Sequence, residues 1–295
     1  MLTTIIGILE EGLAYGVLAL GVYITYKILD FPDLSVDGTF PLGGAVTVAL
    51  ISMGLNPLIA LLASFLIGAF AGMITGIIHV RFRVRDMLSG IIMMTGLYSV
   101  NLRIAGSANV AIFTKDSIFD NSFIDRVVPE GFRPYLVVTL LFVIVLIMKI
   151  LLDVYLKTKS GYLLRAVGDN ETVVTSLAKD KGTIKIIGLS IANGFVAMSG
   201  GIFVQRNGFF EISIGTGALV AGVASVIIGI NLLGKVSFLK ATTTVILGSI
   251  LYKTCVQIAI SFGLVSQDRK LITAILFLII LITSNGRKRR VKAHA

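Results

Sequence analysis

Cysteine, histidine and charged residues are scarce in this sequence of 295 residues. The single cysteine, Cys255, excludes an intramolecular disulfide, and the two histidines, His79 and His294, are too few to form a metal cluster with it. Charged residues make up 14% of the chain, whereas soluble domains average about 25%. The shortage of charge excludes a soluble domain.

The apolar residues indicate an integral membrane protein. They make up 56% of the chain, the mean hydropathy is +0.95, and several apolar runs of about 20 residues could each cross a hydrocarbon core of roughly 30 Å. Because backbone polar groups find no water at that depth, helices are expected. The sequence predicts an all-α polytopic membrane protein, one domain over residues 1–295, with about nine transmembrane segments. These segments are 3–29, one ending near residue 53, 58–80, 87–104, one beginning at 134, 184–204, 209–229, 236–252 and 271–283.

The basic residues set the expected orientation. The net charge of +10 comes from lysines and arginines in short loops between the spans, which favours no nucleic acid partner. Cytoplasmic loops carry an excess of Lys and Arg. The arginines Arg81, Arg83 and Arg85 and the basic tail 287–295 therefore predict a cytoplasmic C-terminus and an N-terminus outside the cell.

Proline and glycine mark two features of the first half. Residues 30–44 contain Pro32 and Pro41, which predict a broken or re-entrant segment leading into the second span rather than one regular helix. In the third span, Gly68, Gly72 and Gly76 recur every four residues. Small residues on one stripe are typical of close helix–helix contact, so we expect this stripe to pack against another helix.

A short pattern occurs twice at the same offset along the chain. Residues 33–36, DLSV, correspond to residues 211–214, EISI, and the flanking Phe31 and Gly44 correspond to Phe209 and Gly222. The two copies begin five spans apart, so they would have opposite orientations in the membrane. The sequence predicts an inverted repeat, about 3–104 and 184–286, joined by a linker span 134–157 and a cytoplasmic loop 158–183. Such repeats with interrupted helices are typical of transporters.

The loop 158–183 is the longest polar break in the apolar part of the chain. Within it, Leu163, Leu164 and Val167, and then Val173, Val174 and Leu177, recur at helical spacing. This pattern predicts short amphipathic helices outside the bilayer, although an ordinary solvated loop is the simpler alternative.

A nucleotide site is excluded by one residue. Residues 229–236, GINLLGKV, nearly match the phosphate-binding pattern GxxxxGK[ST], but Val236 stands where a hydroxyl should hold Mg²⁺, and no strand precedes it. No nucleophile, base and acid arrangement is present either. The sequence therefore predicts a chain that is not an enzyme and binds no cofactor or metal of its own.

Four segments carry a resemblance to a known family: GLAYGVLALGVYITYKILDFPDLSVDGTFPLGGA near the start, TGL at 95–97, GYLLRA at 161–166 and ISIGTGALVAGVASVIIGINLLGK near the end. Together they resemble the permease subunits of bacterial ABC importers of the branched-chain amino acid and ribose type. The fourth span, with MMTGLYSVNLRIAG, is most similar to a subgroup that works with lipoprotein receptors for tryptophan, tyrosine or similar compounds.

The resemblance implies a mechanism and a set of partners. A dimer of separate ATPase subunits would bind ATP and Mg²⁺, an extracellular substrate-binding lipoprotein would deliver the solute, and a second copy of the permease would complete a homodimer in the bacterial inner membrane. The residues expected to couple the permease to the ATPase are Gly161, Leu164, Arg165, Ala166, Gly168 and Asp169. Those expected along the substrate path are Asp33, Ser35, Asp37, Asn101, Arg103, Glu211 and Ser213.

Two other functions stay open from the residues alone. An ion-coupled secondary transporter would need an ionisable relay, for which Glu10, Glu11 and the acidic residues at 33–37 are the candidates. A membrane-embedded enzyme would need a catalytic constellation, and the sequence offers none.

Overall fold

The computed structural model describes residues 2–121, 124, 126, 128–170, 180–234, 236, 238–261, 271, 273–275, 277, 278 and 282. These residues are mostly helical. The helices are α1 (Leu2–Val22), α2 (Val36–Ser52), α3 (Pro57–Val80), α4 (Asp86–Ala105), α5 (Arg133–Tyr155), α6 (Lys159–Asp169), α7 (Lys181–Asn207), α8 (Ala218–Leu233) and α9 (Ala241–Ser261). A π-helical segment, Tyr23–Ile28, extends α1, and two short 3₁₀ turns cover Glu130–Phe132 and Ile212–Gly215.

Seven helical stretches of the described residues are long and apolar enough to cross a membrane, and the shorter α2 is apolar as well. The polytopic helical architecture is therefore confirmed. The predicted count of nine stays a prediction, because six of the thirteen residues of the segment 271–283 lie outside the described residues.

A two-stranded ribbon is the one departure from the all-α expectation in the described part of the chain. Strand β1 (Asn109–Ala111) pairs antiparallel with β2 (Phe209–Glu211), with Val110 opposite Phe210. The ribbon joins the segment that follows α4 to the segment that follows α7. Its hydrogen bonds give partners to backbone N–H and C=O groups that lie beyond the helix ends there.

Two details of the predicted spans are wrong. The eighth span was expected to end at Tyr252 with Lys253 outside it, but α9 runs from Ala241 to Ser261 and includes Lys253. The charge is tolerated inside the helix because the ammonium has an acidic and an aromatic partner, described below. Pro41 does not break α2, since it lies inside the helix near its start, where only one backbone hydrogen bond is lost.

The core is organised around α7, the most buried of the candidate spans. In its most apolar window 72% of the residues are buried, against 22% for α4. The glycine stripe of α3 lies on it, as the spacing predicted: a Cβ on Gly72 would overlap the Leu189 carbonyl oxygen, and one on Gly68 would lie 2.6 Å from the Asn193 carbonyl oxygen. Close approach of the two backbones is therefore required at this contact.

The molecule has two ends that can be named by their contacts. At the α6 end, Gly168 of α6 lies against the carbonyl oxygen of Ile28. At the ribbon end, where β1 and β2 lie, the Gln205 side chain of α7 donates to the carbonyl oxygen of Pro57 at 3.1 Å. Helices α1 and α3 run from the ribbon end to the α6 end, and α7 runs back.

The α3–α7 contact gives the first testable prediction. Gly72→Ala should destabilise the protein by roughly 1–3 kcal/mol, because the added methyl forces two packed backbones apart. The measurement is the thermal midpoint of the detergent-solubilised protein. The matched control is Gly96→Ala on α4, where a Cβ would meet nothing within 4 Å. Equal midpoints for the two variants would contradict the close packing described here.

Candidate functional site

The first interruption of the membrane helices lies between α1 and α2. The π-helical segment ends at Ile28 and is capped by Leu29, whose backbone N–H donates to the carbonyl oxygen of Ile24, and Asp30 then takes a positive φ of 51°. Helix α2 starts only at Val36, after Ser35. The chain between α1 and α2 is therefore extended backbone and turn, as the sequence predicted for the segment before Pro41.

Asp33 and Ser35 hold the interruption against α7. Both side chains are fully buried. The Asp33 carboxylate accepts from the Ser35 backbone N–H at 2.9 Å, from the Ser35 hydroxyl at 2.6 Å and from the Asn193 amide at 2.7 Å. Asn193, at the middle of α7, thus binds the non-helical segment to the most buried helix. Sequence reasoning placed Asn193 in its span but did not assign it to the site.

Asp37 joins the two interrupted regions. Its carboxylate oxygens accept the backbone N–H groups of Gly217 at 3.1 Å and Leu219 at 2.8 Å. Gly217 has a positive φ of 84° and precedes the first residue of α8. Asp37 therefore caps the N-terminus of α8 from the first turn of α2, a capping interaction supplied by a distant part of the chain.

Asn101 of α4 is buried against the start of α2. Its Nδ2 donates to the carbonyl oxygen of Gly38 at 3.0 Å, whereas its Oδ1 is buried with no hydrogen-bond partner in the structure. Arg103, two residues further on, is exposed. The structure therefore brings Asn101 to Asp37 and its neighbours but leaves Arg103 on the surface of α4.

The second copy of the repeated pattern has the same local hydrogen bond in a different setting. The Ser213 hydroxyl donates to Glu211, as the Ser35 hydroxyl donates to Asp33. Glu211 is only half-buried and Ser213 is exposed, while Asp33 and Ser35 are fully buried. The shared contact is consistent with the repeat, and the inverted arrangement of the two halves stays a prediction.

Charged side chains at the ribbon end form pairs. Arg206 Nη2 of α7 lies 2.8 Å from the Glu10 carboxylate of α1, and Lys253 Nζ of α9 lies 3.3 Å from that of Glu11. Arg206 and Lys253 were not among the predicted site residues. A signal existed, since Glu10 and Glu11 inside an apolar run need partners of opposite charge.

At the other end, α6 buries one face in a groove. Thr158 caps the helix through the Gly161 backbone N–H, and Gly161, Leu164 and Val167 are buried. A Cβ on Gly161 would overlap the Tyr155 carbonyl oxygen, and one on Gly168 would overlap the Ile28 carbonyl oxygen. The helix predicted in this part of the loop is confirmed. The second predicted helix, around 173–177, lies outside the described residues.

The opposite face of α6 is exposed. Tyr162, Arg165 and Asp169 all lie on it, and Ala166 is half-buried. Tyr162 is 60% exposed, which was not anticipated from the sequence. The predicted coupling residues therefore divide into a buried set that fixes the helix and an exposed set free to meet a partner.

The chain enters α7 from this end through a strong cap. Asp180 accepts hydrogen bonds from the Thr183 hydroxyl and from the backbone N–H groups of Gly182 and Thr183. These hydrogen bonds lower the pKa of Asp180 below its usual range, and the bond from the Thr183 hydroxyl has the largest effect. The stability that the cap contributes is therefore fully present above the ordinary carboxyl pKa, and it is lost as the pH falls through the lowered pKa of Asp180.

The described residues contain no group of three or more His, Cys, Asp or Glu side chains that could hold a metal ion.

Comparison with known proteins assigns the chain to a family. Residues 4–283 match the family model described as "Branched-chain amino acid transport system / permease component". The chain is 43% identical over 281 residues to the tyrosine transport system permease protein of Clostridioides difficile, covering 95% of this chain and 91% of that protein. It is 32% identical over 278 residues to an uncharacterized protein of Rickettsia prowazekii, covering 92% and 95% of the two chains.

A more distant relative is the ribose import permease protein of Escherichia coli K12. It is 25% identical over 232 residues, which cover 77% of this chain and 69% of that protein. No solved structure matches the chain significantly.

The Asp33–Asn193 contact gives the second prediction. Asn193→Leu should destabilise the protein by about 1–3 kcal/mol, because the buried carboxylate loses a donor. Asp33→Leu/Asn193→Leu should lose less than the two single changes together, since neither polar group is then left alone. The measurement is a double-mutant cycle of unfolding free energies in mild detergent. Strict additivity would contradict the pairing.

Proposed function

The chain belongs to the family of branched-chain amino acid transport system permease components, and we propose that the solute it moves is an amino acid delivered by an extracellular binding protein. As a permease of an ABC-type transport system it is a multi-pass protein of the inner membrane. The observation that carries the amino acid proposal is the 43% identity, over 95% of the chain, to a tyrosine transport system permease. The ribose permease is much less similar, at 25% identity.

The energy would come from a partner. The chain's only approach to a phosphate-binding pattern has Val236 in place of the Mg²⁺ hydroxyl, so ATP and Mg²⁺ would be bound by a separate pair of ATPase subunits. The exposed face of α6 is the proposed docking surface, with Tyr162, Arg165 and Asp169 as its contacts. Exposed aromatic rings and arginines are enriched at protein interfaces.

Movement of α6 would reach the interrupted segment through direct packing. Gly168 lies on the Ile28 carbonyl oxygen, and Leu164 packs against Gly188 of α7 beside Leu29. Leu29 is the last residue before the non-helical stretch that carries Asp33. A rigid displacement of α6 therefore acts on the point where α1 ends, and closure of the ATPase pair would bias the permease between outward-open and inward-open states.

The proposed substrate path follows the interruptions. We assign Asp37, Asn101 and Ser213 to this path because they lie at or beside the interruptions, and the Oδ1 of Asn101 is buried with no hydrogen-bond partner in the structure. Asp33 and Ser35 are fully engaged with each other and with Asn193, so we assign them to holding the segment in place. Arg103 and Glu211 would act at the ribbon end. A second copy of this chain would complete the path, with the largely exposed α4 as a candidate contact.

The ion-coupled carrier is the weaker alternative. Its best relay candidates, Glu10 and Glu11, form ion pairs with Arg206 and Lys253, so both carboxylates are already engaged by basic side chains of the protein.

The first test of the proposal is the composition of the complex. A tagged copy purified in mild detergent from a host that expresses the neighbouring genes should retain an ATPase subunit in about equal amount. Mass spectrometry of the bound proteins gives the ratio. Recovery of the permease alone, under conditions in which it remains folded, would shift the assignment to the ion-coupled carrier.

The second test concerns the docking surface. Arg165→Ala/Asp169→Asn should lower ATP-dependent uptake by roughly tenfold or more, since loss of polar anchor contacts at an interface costs about 1–3 kcal/mol. Both side chains are exposed, so insertion and folding should not change. Uptake in membrane vesicles and the amount of inserted protein are measured together.

The matched control is Arg83→Ala/Asp86→Asn, which makes the same change of charge in the loop between α3 and α4 and at the first residue of α4. Normal uptake in the α6 variant, or equal losses in both variants, would contradict docking through α6.

A further inference from the structure

A recess opens at the ribbon end between α1, α8 and α9, where the end of α7 forms part of the wall. Its volume is about 430 Å³, within the range of about 300–1,000 Å³ typical of small-molecule sites. Glu11, Tyr15, Phe203, Ala221, Tyr252 and Lys253 are among the residues that line it. None of the residues predicted for the substrate path contributes to this recess.

The recess contains one positive and one negative group within reach of the same small ligand. Lys253 Nζ lies 3.4 Å from the centroid of the Tyr15 ring and 3.3 Å from the Glu11 carboxylate. The Lys253 side chain is 14% exposed and that of Glu11 is 40% exposed. An ammonium withdrawn from water is stabilised here by an acid and by an aromatic face together.

This ion pair is not sealed by packing. Glu11 and Lys253 also line a second cavity of about 320 Å³, on the side of the first residues of α1. A pair with open space on both flanks can separate its charges to meet a ligand, whereas a pair enclosed by side chains cannot.

The surrounding charges balance. Arg206 pairs with Glu10 at 2.8 Å and approaches Glu11 at 4.0 Å, so two basic and two acidic side chains form one neutral group. Such a group favours neither a free anion nor a free cation. It suits a ligand that carries both charges, because each end of the ligand finds a group of opposite sign.

The rest of the wall combines apolar, aromatic and small residues with the polar side chains of Asn207, Thr216, Gln257 and Thr273. Tyr15 packs against Phe203 with ring centroids 6.2 Å apart. On the α8 side, the small side chains of Ala218 and Ala221 leave the space of the recess unfilled. A flat apolar side chain could lie between these aromatic and alanine walls, and the N-terminus of α8 is not available to the ligand because Asp37 already occupies it.

We propose that this recess binds a free amino acid with an apolar or aromatic side chain, in its zwitterionic form. Lys253 would receive the α-carboxylate, Glu11 the α-ammonium group, and the Tyr15–Phe203 wall the side chain. The inference rests on the proposed amino acid transport for the choice of ligand, and it places a binding site inside one subunit.

The test uses the purified full-length permease in lipid nanodiscs, without receptor or ATPase, and three probes. L-tyrosine carries both charges, tyramine lacks the carboxylate, and 3-(4-hydroxyphenyl)propionate lacks the ammonium group. Equilibrium binding of L-tyrosine should exceed that of either analogue by about tenfold or more, because each analogue loses one charge-assisted contact. Equal binding of the three probes, or no binding of L-tyrosine, would overturn the proposal.

Variants locate the binding. Lys253→Met should abolish L-tyrosine binding and Lys253→Arg should retain part of it, while Lys240→Met, a loss of the same charge just before the opposite end of α9, should bind normally. Thr216→Trp, at an exposed position on the rim, should block the recess without touching the ion pair, and Thr216→Val is its control. Normal binding in Thr216→Trp would overturn the assignment even if Lys253→Met fails to fold.

The outcomes also separate this inference from the proposed function. L-tyrosine binding by the permease without any ATP-dependent uptake by the assembled transporter would contradict the proposed function and would still support the binding site in the recess. Normal ATP-dependent uptake by the assembled transporter, with no L-tyrosine binding by the purified permease, would remove the recess and keep the proposed function.

Discussion

Close approach of helix backbones to α7 is the constraint on which the rest of the structure depends. Lipid tails are as apolar as leucine, so helices in a membrane associate through tight packing and hydrogen bonds rather than through the hydrophobic effect. Gly68 and Gly72 bring α3 to α7, and Gly43 brings α2 to the Ala197 carbonyl oxygen, at distances that allow no side chain. With its neighbours this near, α7 can also offer a single polar side chain, Asn193, to the interrupted segment at Asp33.

The interruptions are tolerated because each has a polar partner of its own. Non-helical backbone at membrane depth persists only where protein or a water-filled cavity surrounds it. The Asp33 carboxylate accepts the backbone N–H of Ser35, just before α2. The Asp37 carboxylate accepts the backbone N–H of Leu219 in the first turn of α8, at the neighbouring interruption. The two interrupted regions are therefore coupled to each other, and α6 reaches the first of them through Ile28 and Leu29. This continuity gives the docking surface a physical connection to the proposed path.

Features with a regular period were predictable, and pairings between distant residues were not. The apolar runs, the glycine stripe of α3 and the amphipathic α6 follow from spacing along one helix. The Asp33–Asn193 bond, the Asp37 cap on α8 and the β1–β2 ribbon depend on which segments meet, and local sequence does not contain that information. Lys253 was placed outside the membrane because a lysine ordinarily ends a span. Inside α9 it is stabilised by Glu11 and Tyr15, which lie far away in the sequence.

The most direct test of the account is the energy source for solute movement. The permease, its ATPase partner and its receptor would be reconstituted in sealed proteoliposomes, and uptake of labelled L-tyrosine would be followed with ATP on the ATPase side and with ionophores that collapse H⁺ and Na⁺ gradients. The account predicts uptake that requires ATP and the receptor and is unchanged by the ionophores. Uptake without ATP that the ionophores abolish would contradict it.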